Sequence, residues 1–158
     1  MTQNLGPILA RPDDANDYQD AYIQRVAASF ARVTGAPLLL PSRTPGRDAW
    51  QGDYALLTHR GDADGTLNYA NAFALNLWEC GWDDFIGQPS AITAPPEDRP
   101  ARAIAMQKVA QDNFVRGYSG RRISRKGRLF FIEDGVIWRL LDAQGEAFGL
   151  GAWFKTIR

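Results

Sequence analysis

A chain of 158 residues, 45% hydrophobic and 23% charged, has the size and composition of one globular domain, and a fold of this length removes about 70% of its extended surface from water. Its 18 basic residues balance its 18 acidic ones, which excludes a global field toward nucleic acid or an anionic membrane. One cysteine, Cys80, and one histidine, His59, exclude a disulfide within the chain and a zinc site built on cysteines or several histidines.

Met1 to Ala10 has only Ile8–Ala10 as an apolar run and no basic leader, so no signal peptide is expected. No stretch reaches membrane-spanning length. With a lone cysteine this suits a reducing, cytoplasmic setting.

Asp13 to Val33 reads as a helix. Tyr18, Tyr22, Val26 and Phe30 recur every four residues, Val33 follows three later, and Asp13, Asp14, Asn16 and Asp17 supply cap candidates. Gly35 and Pro37 stop it. Pro37 to Asp53, punctuated by prolines and glycines, reads as a connector with little regular structure. Tyr54–Arg60 and Thr66–Ala70 are strands around the turn signal Gly61–Gly65, a hairpin. Asn71 caps a short helix to Trp78, with Phe73 and Leu77 on one face, and Asp83–Gly87 adds a helical turn.

Glu97–Asn113 is the second long helix, with Ala101, Ile104, Ala105 and Val109 as its apolar stripe. From Phe114 the period becomes strand-like. Gly117–Ser124 turns at Lys126-Gly127 into Arg128–Leu140, whose even positions Phe130, Ile132, Val136, Trp138 and Leu140 are apolar, with a bulge expected at Asp134-Gly135. In the last strand Phe148, Leu150, Ala152 and Phe154 share a face, while Gly149 and Gly151 leave the other thin.

This order, with Asn71 opening a short helix and Gly81-Trp82-Asp83-Asp84-Phe85-Ile86-Gly87 following, resembles a PAS domain. The closer resemblance is to the MEKHLA domain, a PAS-like family. It is carried by Leu56-Leu57-Thr58-His59 with Asn68-Tyr69-Ala70-Asn71, by Gly87-Gln88-Pro89-Ser90-Ala91-Ile92-Thr93-Ala94, and by Gly117-Tyr118-Ser119-Gly120-Arg121-Arg122-Ile123-Ser124 with Ile137-Trp138. The resemblance implies an α+β, PAS-like fold: a sheet of about five antiparallel strands with helices on one face, plus the N-terminal helix. Residues 1–53 would be helix and connector, and residues 54–158 the PAS-like core, within one folding unit overall. It also implies ligand sensing or regulation, and names no ligand.

Candidate chemistry is sparse. His59 is a proton switch or base only if a partner faces it, and Asp62 and Asp64 are turn residues first. Flavin-binding PAS relatives carry their cysteine in an Asn-Cys-Arg motif, unlike Trp78-Glu79-Cys80-Gly81-Trp82. Haem-binding relatives use a long-helix histidine, absent from Glu97–Asn113. No haem, flavin or metal is therefore expected. The basic run Arg116, Arg121, Arg122, Arg125, Lys126 and Arg128 reads as a solvated hairpin rim, because only Tyr118 interleaves it.

The expected function is a sensory module binding a small molecule in an aromatic-lined pocket and acting through a separate partner. Asn71, Tyr118 and Arg122 would orient the ligand, and Phe73, Leu77, Trp82, Phe85, Ile104, Phe130 and Trp138 would supply walls. One alternative is a small enzyme with His59 or Tyr118 as acid or base. Another is a ligand-free interaction domain. The expected assembly is a homodimer in which the Asp13–Val33 stripe meets its copy, with no nucleic-acid or membrane partner.

Overall fold

The computed structural model describes residues 4–158. Asp13 caps the first helical stretch: its carboxylate accepts the Asn16 amide and the Asn16 side chain accepts the Asp13 amide. The helix is not continuous from there. Asp17, Tyr18 and Gln19 take positive φ, so Asp14–Gln19 is a kinked 3-10 stretch, and helix α1 proper runs Asp20–Thr34, ending on Gly35 at φ 76°. Tyr18 leaves the stripe and lies beneath the Arg47 guanidinium. Tyr22, Ile23, Val26 and Phe30 are buried.

The expected connector carries a short helix, α2 (Pro45–Trp50). Its first residue is a proline, whose missing N–H is no loss at that position, and its buried Ala49 and Trp50 hold it to the core. Then come β1 (Ala55–His59), β2 (Leu67–Ala70), α3 (Ala72–Trp78), α4 (Trp82–Phe85), 3-10 turns at Ser90–Thr93 and Pro96–Asp98, α5 (Arg99–Asp112), β3 (Phe114–Ile123), β4 (Leu129–Leu141), β5 (Ala147–Phe154) and β6 (Thr156–Ile157). The five long strands form one antiparallel sheet in the order β2-β1-β5-β4-β3, and β6 pairs with β4. The five-stranded α+β sheet expected from the sequence is present.

Residues paired across an antiparallel register share a face. Leu57, Ala152 and Ile137 fall on one face through the pairs Leu57–Ala152 and Ile137–Ala152, and Thr58, Gly151 and Trp138 fall on the other. Helices α3 to α5 cover the first, where the fully buried Trp78 meets Phe85, Phe130 and Phe154. Helix α1 covers the second. There the Tyr22 hydroxyl lies 2.8 Å from Thr58 Oγ1, Ser29 Oγ links the Arg139 carbonyl to the Leu141 amide, and Phe30 sits edge-on to Trp138 at 4.9 Å. Burying each large side chain of the stripe contributes about 1.5–3 kcal/mol. That gain is realised on the chain's own sheet.

The apolar even positions of β4 are all buried, yet not on one face. Asp134 takes φ 56°, and the pairing with β3 slips between Val115 and Gly120. This reverses the alternation: Phe130 and Ile132 face α3, whereas Val136, Trp138 and Leu140 fall on the α1 face. A second reversal at Gly149 detaches Phe148 from the face of Leu150, Ala152 and Phe154 and brings it beneath Arg25 of α1, 4.3 Å from the ring centre. Among the described residues no helix is long and apolar enough to cross a membrane.

Candidate functional site

Between the sheet and helices α3 and α5 lies a cavity of ≈ 60 Å³. Its walls are mostly apolar: Leu57, Trp78, Ile132, Ile137, Leu150 and Phe154. At roughly 10–15 Å³ per water centre, it has room for about four to six heavy atoms. The polar groups enter from four elements. His59 comes from the end of β1, Ser90 and Thr93 from the 3-10 turn, Arg102 from α5, and Tyr118 and Arg122 from β3.

The turn is held by its own bonds. Thr93 Oγ1 donates to the Ser90 carbonyl at 2.8 Å, and Trp78 Nε1 donates to the Thr93 carbonyl at 3.4 Å. Arg122 is only 6% exposed. It donates to the Arg121 carbonyl at 2.7 Å and to the Tyr118 hydroxyl at 2.9 Å, both uncharged acceptors. Arg102 stands across from it. Burial, and then the charge of Arg122, push its guanidinium down to about 10, so it stays protonated at neutral pH. Among the described residues no carboxylate lines the cavity. Asp98, at its outer margin, is gripped by Arg121 through contacts of 2.7 and 3.1 Å.

His59 is held neutral. Its Nδ1 accepts the Gly61 amide at 3.0 Å, which leaves the proton to Nε2. Burial and then the charge of Arg102 push the imidazole down to about 4, against a smaller opposing effect of Asp62. Between pH 6.5 and 4 the unfolded chain therefore binds a proton that the folded chain does not. The stability this contributes is present above pH 6.5 and lost as pH falls toward 4. In urea melts, the stability difference between the native chain and His59→Gln is expected to shrink by up to about 3 kcal/mol on going from pH 7 to pH 4. A difference that stays constant would show that the folded imidazole titrates near its ordinary value.

Of the residues expected to hold a ligand, Tyr118 and Arg122 line the cavity. Asn71 does not: it is fully buried and its side chain is occupied by four backbone groups. Phe73 and Leu77 pack partly buried against the core, outside the cavity lining. Trp82 sits between Trp50 and Tyr69, and Phe85 and Phe130 lie against Trp78. Trp138 belongs to the other face of the sheet, for the reason given by Asp134. Ile104 is 68% exposed.

The turn of α5 explains that last difference. The residues it presses inward are Arg102, Met106 and Val109, at i, i+4 and i+7; Val109 is shared with the expected stripe, while Ala101 and Ile104 turn outward. An arginine on a helix face reads as solvated, so nothing in the sequence singled out Arg102. Met106 reads as packing on the long helix, and Ser90 and Thr93 belong to a family-motif segment, but none of the three was expected to line a ligand cavity. Cys80, partly buried at the end of α3, does not line the cavity, and burial raises its thiol pKa.

Strand order 2-1-5-4-3, with helices enclosing a cavity on one face, defines a domain of the PAS fold. The chain belongs to the MEKHLA domain family, which matches it over residues 20–158. Among solved structures it is similar to a PAS domain of a protein from Colwellia psychrerythraea, at 17% identity and TM-score 0.60 over 68% of this chain and 89% of that one. It is similar to an RNA-binding light-oxygen-voltage receptor at 18% identity and TM-score 0.61, covering 75% of this chain but 35% of the receptor. A third likeness is the PAS domain of a LuxR-family transcriptional regulator from Burkholderia thailandensis in complex with ethanol, at 16% identity and TM-score 0.53 over 68% and 92%. No curated protein matches the sequence.

Proposed function

We propose that this domain is a sensory module that holds a molecule of a few heavy atoms in the cavity between α3, α5 and the sheet, its occupancy being read by a separate partner. The observation that carries this reading is an apolar cavity into which charged and polar side chains from four elements converge. The ethanol complex of the Burkholderia thailandensis regulator supports it by analogy, since that ligand is of the size this cavity admits. An enzymatic reading is weaker. A base held at about 4, with its Nδ1 on a backbone amide rather than a carboxylate, is poorly matched to proton transfer at neutral pH.

Ala152 lines the cavity and is small, so Ala152→Leu fills the cavity from the sheet side. Native mass spectrometry of freshly purified protein is expected to show one small adduct per chain in the native sequence and none in Ala152→Leu. If both chains run at the bare mass, and both melt at the same temperature with and without small-molecule extract added, the sensory reading fails.

A further inference from the structure

We infer that the molecule held in this cavity is a short-chain carboxylate, its charged end between Arg102 and Arg122 and its tail against the apolar wall; this rests on the ligand-binding reading above. The pair comes from two separate elements, α5 and β3, yet lines one cavity in which, among the described residues, no acidic side chain takes part. Several more exposed arginines are paired with acids, Arg47 with Asp14, Arg121 with Glu97 and Asp98, Arg128 with Glu79 and Arg158 with Glu133. Arg122, the most buried of them by contrast, has only the Arg121 carbonyl and the Tyr118 hydroxyl. A buried cation is ordinarily paired with an anion; here the charge facing Arg122 across the cavity is a second cation, and the nearby acid, Asp98 on the outer groove, is already gripped by Arg121.

The position suits entry. Arg102, Tyr118 and Arg122 also line an outer groove of ≈ 280 Å³, so the guanidinium pair stands between groove and cavity. Because Tyr118 accepts from Arg122, its own hydroxyl proton is free to donate to a bound oxygen. Behind these groups the wall is Ile137, Leu150 and Phe154, which offers an inorganic oxyanion nothing on its far side and a short alkyl tail a dry surface.

The test is calorimetric titration of the whole chain, at neutral pH, with propionate, with its uncharged isostere propionamide, and with inorganic phosphate. Propionate is expected to bind at least tenfold more tightly than either. The Arg102 side chain makes no hydrogen bond among the described residues, so Arg102→Gln is expected to leave the fold intact. It is expected to weaken propionate by about 10- to 100-fold, the value of a charge-assisted bond, and to leave propionamide unchanged. Arg122→Lys is expected to retain part of the affinity that Arg122→Gln loses. Propionamide binding as well as propionate, with Arg102→Gln indifferent, would overturn the carboxylate and leave the cavity reading standing. Phosphate binding more tightly than propionate would overturn it too, because the apolar wall would then contribute nothing. No binding of propionate at all sinks the inference, while the adduct measurement on Ala152→Leu decides separately whether the cavity holds something else.

Discussion

Asn71→Ala is expected to cost about 3–5 kcal/mol of folding stability, because it orphans several buried backbone groups at once. Asn71 Oδ1 accepts the amides of Leu56 and Ala74, each at 3.1 Å. Its Nδ2 donates to the carbonyls of Ala49 at 2.9 Å and Tyr54 at 2.8 Å. One side chain thus caps α3, closes α2, and pins the start of β1, in a place with no exposure to solvent. Losing an N-cap alone is worth about 0.5–2 kcal/mol, and each further unsatisfied buried group adds roughly 1–3, reduced where the chain relaxes. Asn71→Asp keeps the oxygen that accepts both amides but replaces the donating NH2 with a second oxygen facing two carbonyls, so it is expected to be no better than alanine. Urea denaturation followed by tryptophan fluorescence measures both. A loss below about 1 kcal/mol for alanine would mean that water reaches these groups and that Asn71 is not the clamp described here.

Gly149→Ala is expected to be comparably severe, about 3–5 kcal/mol or outright failure to fold. Gly149 takes φ 152°, and a Cβ placed on it would lie 2.0 Å from the His59 carbonyl oxygen of the neighbouring strand. Neither partner is the free end of a flexible side chain. The strands β5 and β1 would have to part, and with them the cavity wall carried by His59 and Leu150. Strain at a left-handed position adds to the clash. Circular dichroism and melting of the purified variant test this directly. A variant within 1 kcal/mol of the native chain would show that the bulge at this point can be repaired locally.

The elements were legible where local chemistry governs them. Asp13, Asn71, Gly35 and the Gly61–Gly65 turn act within a few residues of themselves, so capping and turn preferences place them. The switch from helical to strand period at Phe114 is equally local, and the three motif segments sufficed to name the family. Which face a strand residue occupies is a different matter. Alternation predicts it only between irregularities: the bulge at Asp134-Gly135 was expected from the sequence, but not that Asp134 would take φ 56° and reverse the faces beyond it. Past it, Trp138 changes sides, from the expected pocket wall to the core beneath α1.

The sequence by itself thus determined the order of helices and strands, their caps and turns, the family, and two of the cavity's polar residues, Tyr118 and Arg122. Only the tertiary structure decided that the α1 stripe is covered by the sheet of its own chain, that α5 turns Arg102 rather than Ile104 inward, and that Asn71 is a structural clamp. The physical reason is common to all three. Caps, turns and periods depend on neighbours in sequence, whereas burial and hydrogen-bond occupancy depend on which distant surface arrives opposite, and a single backbone irregularity is enough to exchange one face for the other.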